Sequence, residues 1–219
     1  MKLAVNGLSY ERNKKLLFNQ LTFQVYPGEA LHILGPNGAG KTSLLQILTG
    51  LIPPFSGNIL CNGIAIHNSS CFKKKMLYVS HRLGMKSVLT PFENLYLFLV
   101  RRGFSAGDQS LKQVKQQVED NIYHALHKLD LHPYLKILTG SLSAGQQQRL
   151  ILAKLLLIKV DCWILDEPLT ALDSKGIHFV SLLIEEQLCR GGLVIFTSHQ
   201  PLSLSHVKMK RLFLGASRV

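Results

Sequence analysis

Glycines at positions 35, 38 and 40 lead directly into Lys41 and Thr42, within the run Gly35-Pro36-Asn37-Gly38-Ala39-Gly40-Lys41-Thr42-Ser43. That order of residue types is suited to phosphate. The run fits G-x-x-x-x-G-K-[ST], in which glycines fold the backbone tightly and turn successive N–H groups inward toward an anion. The lysine brings a positive charge for the β- and γ-phosphates. The threonine brings a hydroxyl for Mg²⁺, a hard cation that prefers oxygen. The expected ligand is therefore a nucleoside triphosphate with Mg²⁺.

A second group of residues turns binding toward hydrolysis. The apolar run Cys162-Trp163-Ile164-Leu165 ends in Asp166-Glu167. A buried strand that stops at two acids delivers carboxylates to its carboxyl end, where open α/β sheets take their ligands. Asp166 is placed to hold the Mg²⁺ shell. Glu167, one residue on, is placed to polarise an attacking water.

These residues require particular elements around them. Ala30–Leu34 reads as a short apolar strand before the glycine loop, and Ser43–Leu48 as the first turns of a helix after it. Leu3–Tyr26 alternates in the manner of strands, with a turn at Pro27-Gly28. Ile59–Cys61 and Met76–Val79 read as further strands. From Thr90 to about Leu138 the pattern is helical, with a turn expected over Gly103–Gly107. The fold class expected is α/β: a P-loop, RecA-like core with a small antiparallel β subdomain and an inserted helical subdomain. The whole of 1–219 then forms one nucleotide-binding domain, with the core and β subdomain at about 1–87 and 156–219 and the helical subdomain at about 88–155.

Leu142-Ser143-Ala144-Gly145-Gln146 precedes an apolar, helix-like run from Leu150 to Ile158 and resembles the L-S-G-G-Q signature of ABC-type ATPases. Thr170-Ala171-Leu172-Asp173 is similar to that family's D-loop, and Val194–Ser198 is a strand-like run ending at His199, similar to its switch histidine. The resemblance implies that the nucleotide is ATP, that Tyr10 stacks on its adenine and that Lys41, Glu167 and His199 serve hydrolysis. It further implies that Ser143, Gly145 and Gln146 cap the γ-phosphate held by a second copy of the subunit, making a homodimer. A helix start with a free hydroxyl is an anion site. Ala144 stands where glycine is usual, which costs nothing if the backbone there is helical.

The run from Ser80-His81-Arg82 through Leu89-Thr90-Pro91-Phe92-Glu93-Asn94-Leu95 resembles the corresponding region of the CcmA family, as do the Ala-containing signature and Ser198-His199-Gln200-Pro201-Leu202. His81 stands where ABC ATPases usually place a sensor glutamine. It is a further candidate at the metal, although imidazole is a poor Mg²⁺ ligand beside oxygen. The CcmA resemblance implies the ATPase subunit of a cytochrome c maturation transporter, joined to integral-membrane partners at the cytoplasmic face of the bacterial inner membrane. Hydrolysis would drive release of a haem-loaded chaperone. Direct haem contact is not expected, since no Cys-x-x-Cys-His run is present.

Composition bounds the alternatives. The chain has 219 residues, 47% of them hydrophobic and 17% charged, with a formal net charge of +12. Such a balance excludes a disordered chain. The most apolar stretch, Leu150–Val160, is too short to span a bilayer and contains Lys154 and Lys159. The four scattered cysteines read as reduced thiols of a cytosolic protein. Clusters at Lys73–Lys75 and Lys208–Arg211 favour an anionic membrane surface over nucleic acid, for which no module is present. Rival readings are another ABC exporter, or a soluble ABC ATPase acting on nucleic acid.

Overall fold

The computed structural model describes residues 1–80, 84–103, 111–205 and 207–215. His81 and most of the turn expected at Gly103–Gly107 lie outside them. The chain divides into two compact units, one of Met1–His81, Val160–Leu169 and Ile177–Val219, the other of Arg82–Lys159 and Thr170–Gly176.

The first unit carries two sheets. β1 (Leu3–Arg12) and β2 (Lys15–Val25) form a hairpin, and β4 (Ser56–Cys61) and the two-residue β5 (Ile64–Ala65) extend it into an antiparallel sheet ordered β2-β1-β4-β5. Leu3 and Val5 point inward on the strand period of two. The register then shifts, so that Leu8 takes the next inward place. The second sheet takes β3 (Glu29–Leu34), β6 (Met76–Val79), β7 (Cys162–Leu165), β8 (Leu193–Thr197) and β9 (Lys208–Phe213) in the order β6-β7-β8-β3-β9, every pair parallel. β3, β7 and β8 are nearly continuous runs of buried residues, as a parallel sheet covered on both faces requires. α1 (Lys41–Leu48) follows β3 and buries Leu44, Leu45, Ile47 and Leu48. They join one apolar cluster with Leu3, Val5 and Ile59 of the first sheet and Leu31, Ile33, Ile164 and Ile195 of the second. The short α2 (Ser70–Lys74) precedes β6.

The second unit is helical. α3 (Pro91–Arg101) starts on a complete capping box. Thr90 accepts from the Glu93 N–H, Glu93 accepts from the Thr90 N–H, and Pro91 occupies the first turn. Asn94, 2% exposed, ties residues 86–90 to this start. Its Oδ1 accepts from Lys86 N at 2.7 Å, and its Nδ2 lies 2.9 Å from Thr139 Oγ1 and 3.0 Å from the Lys86 carbonyl. The Thr-x-x-Glu-Asn order thus specifies a helix start and the path of the segment before it. α4 (Leu111–Lys128) and α5 (Ala144–Leu157) complete the packing, with short 3₁₀ turns at His132–Tyr134 and Thr139–Ser141. α6 (Ser174–Cys189), which from Ile177 onward belongs to the first unit, leads to β8.

Among the described residues no helix is long and apolar enough to cross a membrane. All four cysteines are free, with Cys61 and Cys162 buried.

Candidate nucleotide site

The glycine loop joins the end of β3 to α1. A Cβ on Gly35 would stand 2.5 Å from the Leu214 carbonyl oxygen, so only glycine fits against the end of β9. Gly38 and Gly40 hold φ of 81° and 94°. Gly40 is the N-cap of α1, and the first N–H groups of this helix face the loop. Pro36, Asn37, Gly38 and Ala39 border a cleft of about 1110 Å³ whose opposite wall is β2, from Lys15 to Thr22. Leu17 and Phe18 of that wall lie directly over Gly40, within 3.1–3.4 Å of a Cβ built there. Tyr10 does not line the cleft. Its ring packs on Phe18 at 5.9 Å and 30°.

Lys41 is 9% exposed. Its Nζ donates to the carbonyls of Gly35 at 2.7 Å and Pro36 at 3.3 Å, and stands 3.4 Å from His199 Nε2. Thr42 is exposed and Ser43 buried on the first turn of α1. The lysine charge is thus held by the loop's own backbone, above the helix start.

β7 and β8 bring the acids to the same sheet edge. Asp166 is 3% exposed, and its Oδ1 accepts from the Thr197 hydroxyl at 2.8 Å. That hydroxyl in turn accepts from the Glu167 N–H at 2.9 Å. Glu167 has φ of 52°, a left-handed conformation that costs a non-glycine residue on the order of 1 kcal/mol. The turn is held by this bond, and it directs the carboxylate toward His199. Glu167 Oε2 accepts from the His199 N–H at 3.3 Å, and Oε1 lies 3.5 Å from His199 Nε2. Among the described residues Oε1 is buried and has no hydrogen-bond partner. Lys41, Asp166, Glu167, Thr197 and His199 therefore form one continuous polar group. His199 Nε2 stands between an ammonium that donates and a carboxylate that accepts, so its tautomer decides which it takes.

The second unit holds its own candidate residues together. Ser143 is the N-cap of α5. Its hydroxyl accepts from the Gln146 N–H at 3.2 Å, while Gln146 Oε1 accepts from the Ser143 N–H at 2.8 Å. Ala144 is the first helical residue and is absent from the positive-φ positions, so alanine is unstrained there. A Cβ on Gly145 would stand 2.9 Å from the Ala171 carbonyl oxygen, so glycine is needed at this position. Arg149 Nη2 reaches Asp173 Oδ2 at 3.1 Å, and Asp173 Oδ1 accepts from the Gly176 N–H at 2.8 Å. That backbone bond, with Arg149 beside it, holds the Asp173 carboxyl below its usual range.

Comparison with known proteins gives the family. The ABC transporter family model matches residues 18–170. A cytochrome c biogenesis ATP-binding export protein CcmA from Tatumella citrea is 42% identical over 215 residues, covering 98% of this chain and 96% of the relative. The CcmA of Sodalis glossinidius is 38% identical over 213 residues, covering 97% and 95%. The chain belongs to the CcmA family of ABC transporter ATP-binding proteins. It is an ABC-type ATPase. Among solved structures, an ABC transporter ATP-binding protein from Pyrococcus furiosus superposes with a TM-score of 0.75 at 27% identity, covering 97% of this chain and 98% of that one. A dimeric ATP-binding cassette in a post-hydrolysis state, bound to ADP and Pi, shares the fold with a TM-score of 0.76 at 22% identity, covering 90% and 88%.

The sequence alone does not single out several residues that the structure brings to this candidate site. Thr197 appears in the sequence only as a strand residue, yet its hydroxyl joins both acids. Leu17 and Phe18 read as ordinary strand positions, and their approach to Gly40 depends on the bulged register of the hairpin. Arg149 follows the signature without a visible partner, because Asp173 is 24 residues away.

Proposed function

We propose that this chain is the ATP-hydrolysing subunit of a membrane transport complex in cytochrome c biogenesis, working as a homodimer at the cytoplasmic face of the inner membrane. The observation that carries the reading is the joined group of Lys41, Asp166, Glu167, Thr197 and His199, in a chain whose relatives bear that export name.

The triphosphate lies along the loop from Gly35 to Ser43, and the nucleoside enters the cleft beside Leu17 and Phe18, with Tyr10 behind Phe18. Lys41 leaves the Gly35 and Pro36 carbonyls for the β- and γ-phosphates. One set of hydrogen bonds replaces another, so the ammonium is never stranded. The donor set for Mg²⁺ is all oxygen: the exposed Thr42 hydroxyl and the Asp166 carboxylate, which fits a hard cation. When bound, Mg²⁺ neutralises charge on the phosphate oxygens. Glu167 Oε1, without a hydrogen-bond partner among the described residues and 3.5 Å from His199 Nε2, accepts the proton of the attacking water as the water oxygen bonds to the γ-phosphorus and ADP leaves. Departure of Lys41 frees His199 Nε2, which in the tautomer carrying its proton on Nε2 donates to Glu167 or to the γ-phosphate. Ser143, Gly145 and Gln146, at the start of α5, cap the γ-phosphate held by the second copy. ATP then holds the two copies together and its hydrolysis releases them, which makes the nucleotide a switch for the membrane partners.

The test pairs chemistry with physiology. Glu167→Gln keeps the side-chain shape and loses the base. The purified variant should bind Mg-ATP, hydrolyse it at least about a hundredfold more slowly, and elute as an ATP-dependent dimer. Cells carrying only Lys41→Ala or Glu167→Gln should lose covalent haem staining of their c-type cytochromes. Full staining with either turnover-defective variant would refute the transport reading.

A further inference from the structure

His32 lies in the middle of β3, three residues before Gly35, in register with Phe196 on β8 and Arg211 on β9. It is 6% exposed, and its ring stacks on Phe196 with centroids 4.5 Å apart and planes at 14°. Central strands of parallel sheets are ordinarily aliphatic, and a buried imidazole costs free energy unless its polar atoms are used. Here one of them is used: Nε2 lies 3.2 Å from the Ser198 carbonyl oxygen. Burial lowers the His32 pKa, which favours the neutral ring with one N–H. A carbonyl accepts only, so the proton sits on Nε2.

The acceptor's place gives this bond its meaning. The β3–β8 ladder ends at the pair Ile33–Thr197, and Ser198 is the first residue beyond it. Its carbonyl takes its hydrogen bond from a side chain of the loop-bearing strand. The Ser198 hydroxyl donates to the Gln200 carbonyl at 2.9 Å and accepts from the Gln200 N–H at 2.9 Å, closing a tight turn around His199. With the Ser198 carbonyl drawn toward β3, His199 is presented to Glu167 and Lys41.

We propose that His32 is a positioning residue for hydrolysis: its Nε2–H anchors the Ser198 carbonyl and so fixes His199 against Glu167 and the lysine of the glycine loop. The proposal rests on the switch role of His199 given above. His32 is buried and does not line the cleft. Its effect belongs to turnover, not to ATP affinity, because the loop and cleft that hold the nucleotide do not include it.

The experiment measures Mg-ATP turnover by the full chain, co-purified with its membrane partners, for His32→Leu, His32→Phe and His32→Gln, each also in a His199→Ala background. His32→Leu removes the donor, and His32→Phe removes it while keeping an aromatic ring over Phe196. Both should lower kcat about tenfold and leave KM for ATP within about twofold. His32→Gln, whose amide N–H reaches a similar point, should recover most of the rate. None should add to the defect of His199→Ala. Wild-type kcat in His32→Leu, no recovery in a folded His32→Gln, or an equal further loss on His199→Ala would each overturn the proposal. Unchanged turnover in His199→Ala alone would instead remove the switch role on which it rests. Should the leucine and phenylalanine variants fail to fold, ¹⁵N spectra of the wild-type chain decide the matter: Nε2 must carry the proton, and a proton on Nδ1 refutes the bond.

Discussion

Thr197→Val is the sharpest probe of how the two acids are held. Valine matches threonine in shape but has no hydroxyl. At this position it removes a bond donated to the Asp166 carboxylate at 2.8 Å and a bond accepted from the Glu167 N–H at 2.9 Å. Thr197 is fully buried and Asp166 is 3% exposed, so water does not replace what is lost. A charge-assisted bond is worth about 2 kcal/mol and a neutral one about 1 kcal/mol, which puts the destabilisation near 3 kcal/mol. For a domain of this length that lowers Tm by about 6–12 °C. The Glu167 turn, left-handed at φ of 52°, loses the bond that holds it, so turnover should fall at least about tenfold. Thr197→Ser keeps the hydroxyl and should retain most of both properties. Scanning calorimetry and steady-state ATPase assays on the same preparations measure the two effects. A valine variant within about 0.5 kcal/mol of wild type and turning over normally would refute the claim that this hydroxyl organises the acids.

Three further outcomes follow from the geometry. Lys154, 7% exposed with its Nζ 5.3 Å from the Phe98 ring centroid, has its pKa lowered by burial from 10.5 to about 8. Between those values the unfolded chain binds more protons, so stability rises with pH; Lys154→Met should stabilise the chain by up to about 3 kcal/mol at pH 7, and the gain should vanish above pH 10.5 in denaturant titrations. Glu29 is buried, which alone would raise its pKa, but bonds from Lys210 and Lys208 and from the Tyr26 N–H outweigh burial and hold it at about 2. Its contribution is therefore present above pH 4.5 and lost as pH falls toward 2; because the lysines are solvent-screened, Glu29→Gln should remove only about 1–2 kcal/mol of that acid dependence in thermal melts. Gly145→Ala should cost about 1–3 kcal/mol, since its methyl would press on the Ala171 carbonyl, whereas Ala144→Gly should cost no more than about 1 kcal/mol.

What could be read in advance was what depends on local order. The glycine loop between strand and helix, the acids at the end of β7 and the strand leading to His199 each announce themselves within ten residues, because turn chemistry and burial patterns are local. β6 was legible over its whole span, Met76–Val79. Contacts between distant segments were not. No pattern in the hairpin predicts that Phe18, rather than Tyr10, rests on Gly40, because a bulge resets the inward face. Nor does the run Lys208-Met209-Lys210-Arg211 announce a strand. It reads as a basic surface segment, and only its pairing beside β3 shows that Lys208 and Lys210 close on Glu29 at 2.9 and 2.5 Å.

The same strand has a consequence for the chain in a crowded solution. β9 is an outermost strand of the five-stranded sheet, and among the described residues no strand pairs with its other side, the kind of edge that can take up an extended segment. Lys208 and Arg211 are exposed along it, and Lys210 is partly so. A second copy approaching edge to edge would bring like charges within a few ångströms, and its lysines would have to shed water to let the strands join. Part of the +12 charge is thus explained without any anionic ligand: it discourages copies from pairing edge to edge along β9. With Lys208 and Arg211 replaced by threonine, the stretch through Met209, Leu212, Phe213 and Leu214 becomes a β-prone run with little charge, the composition that seeds fibrillar aggregates.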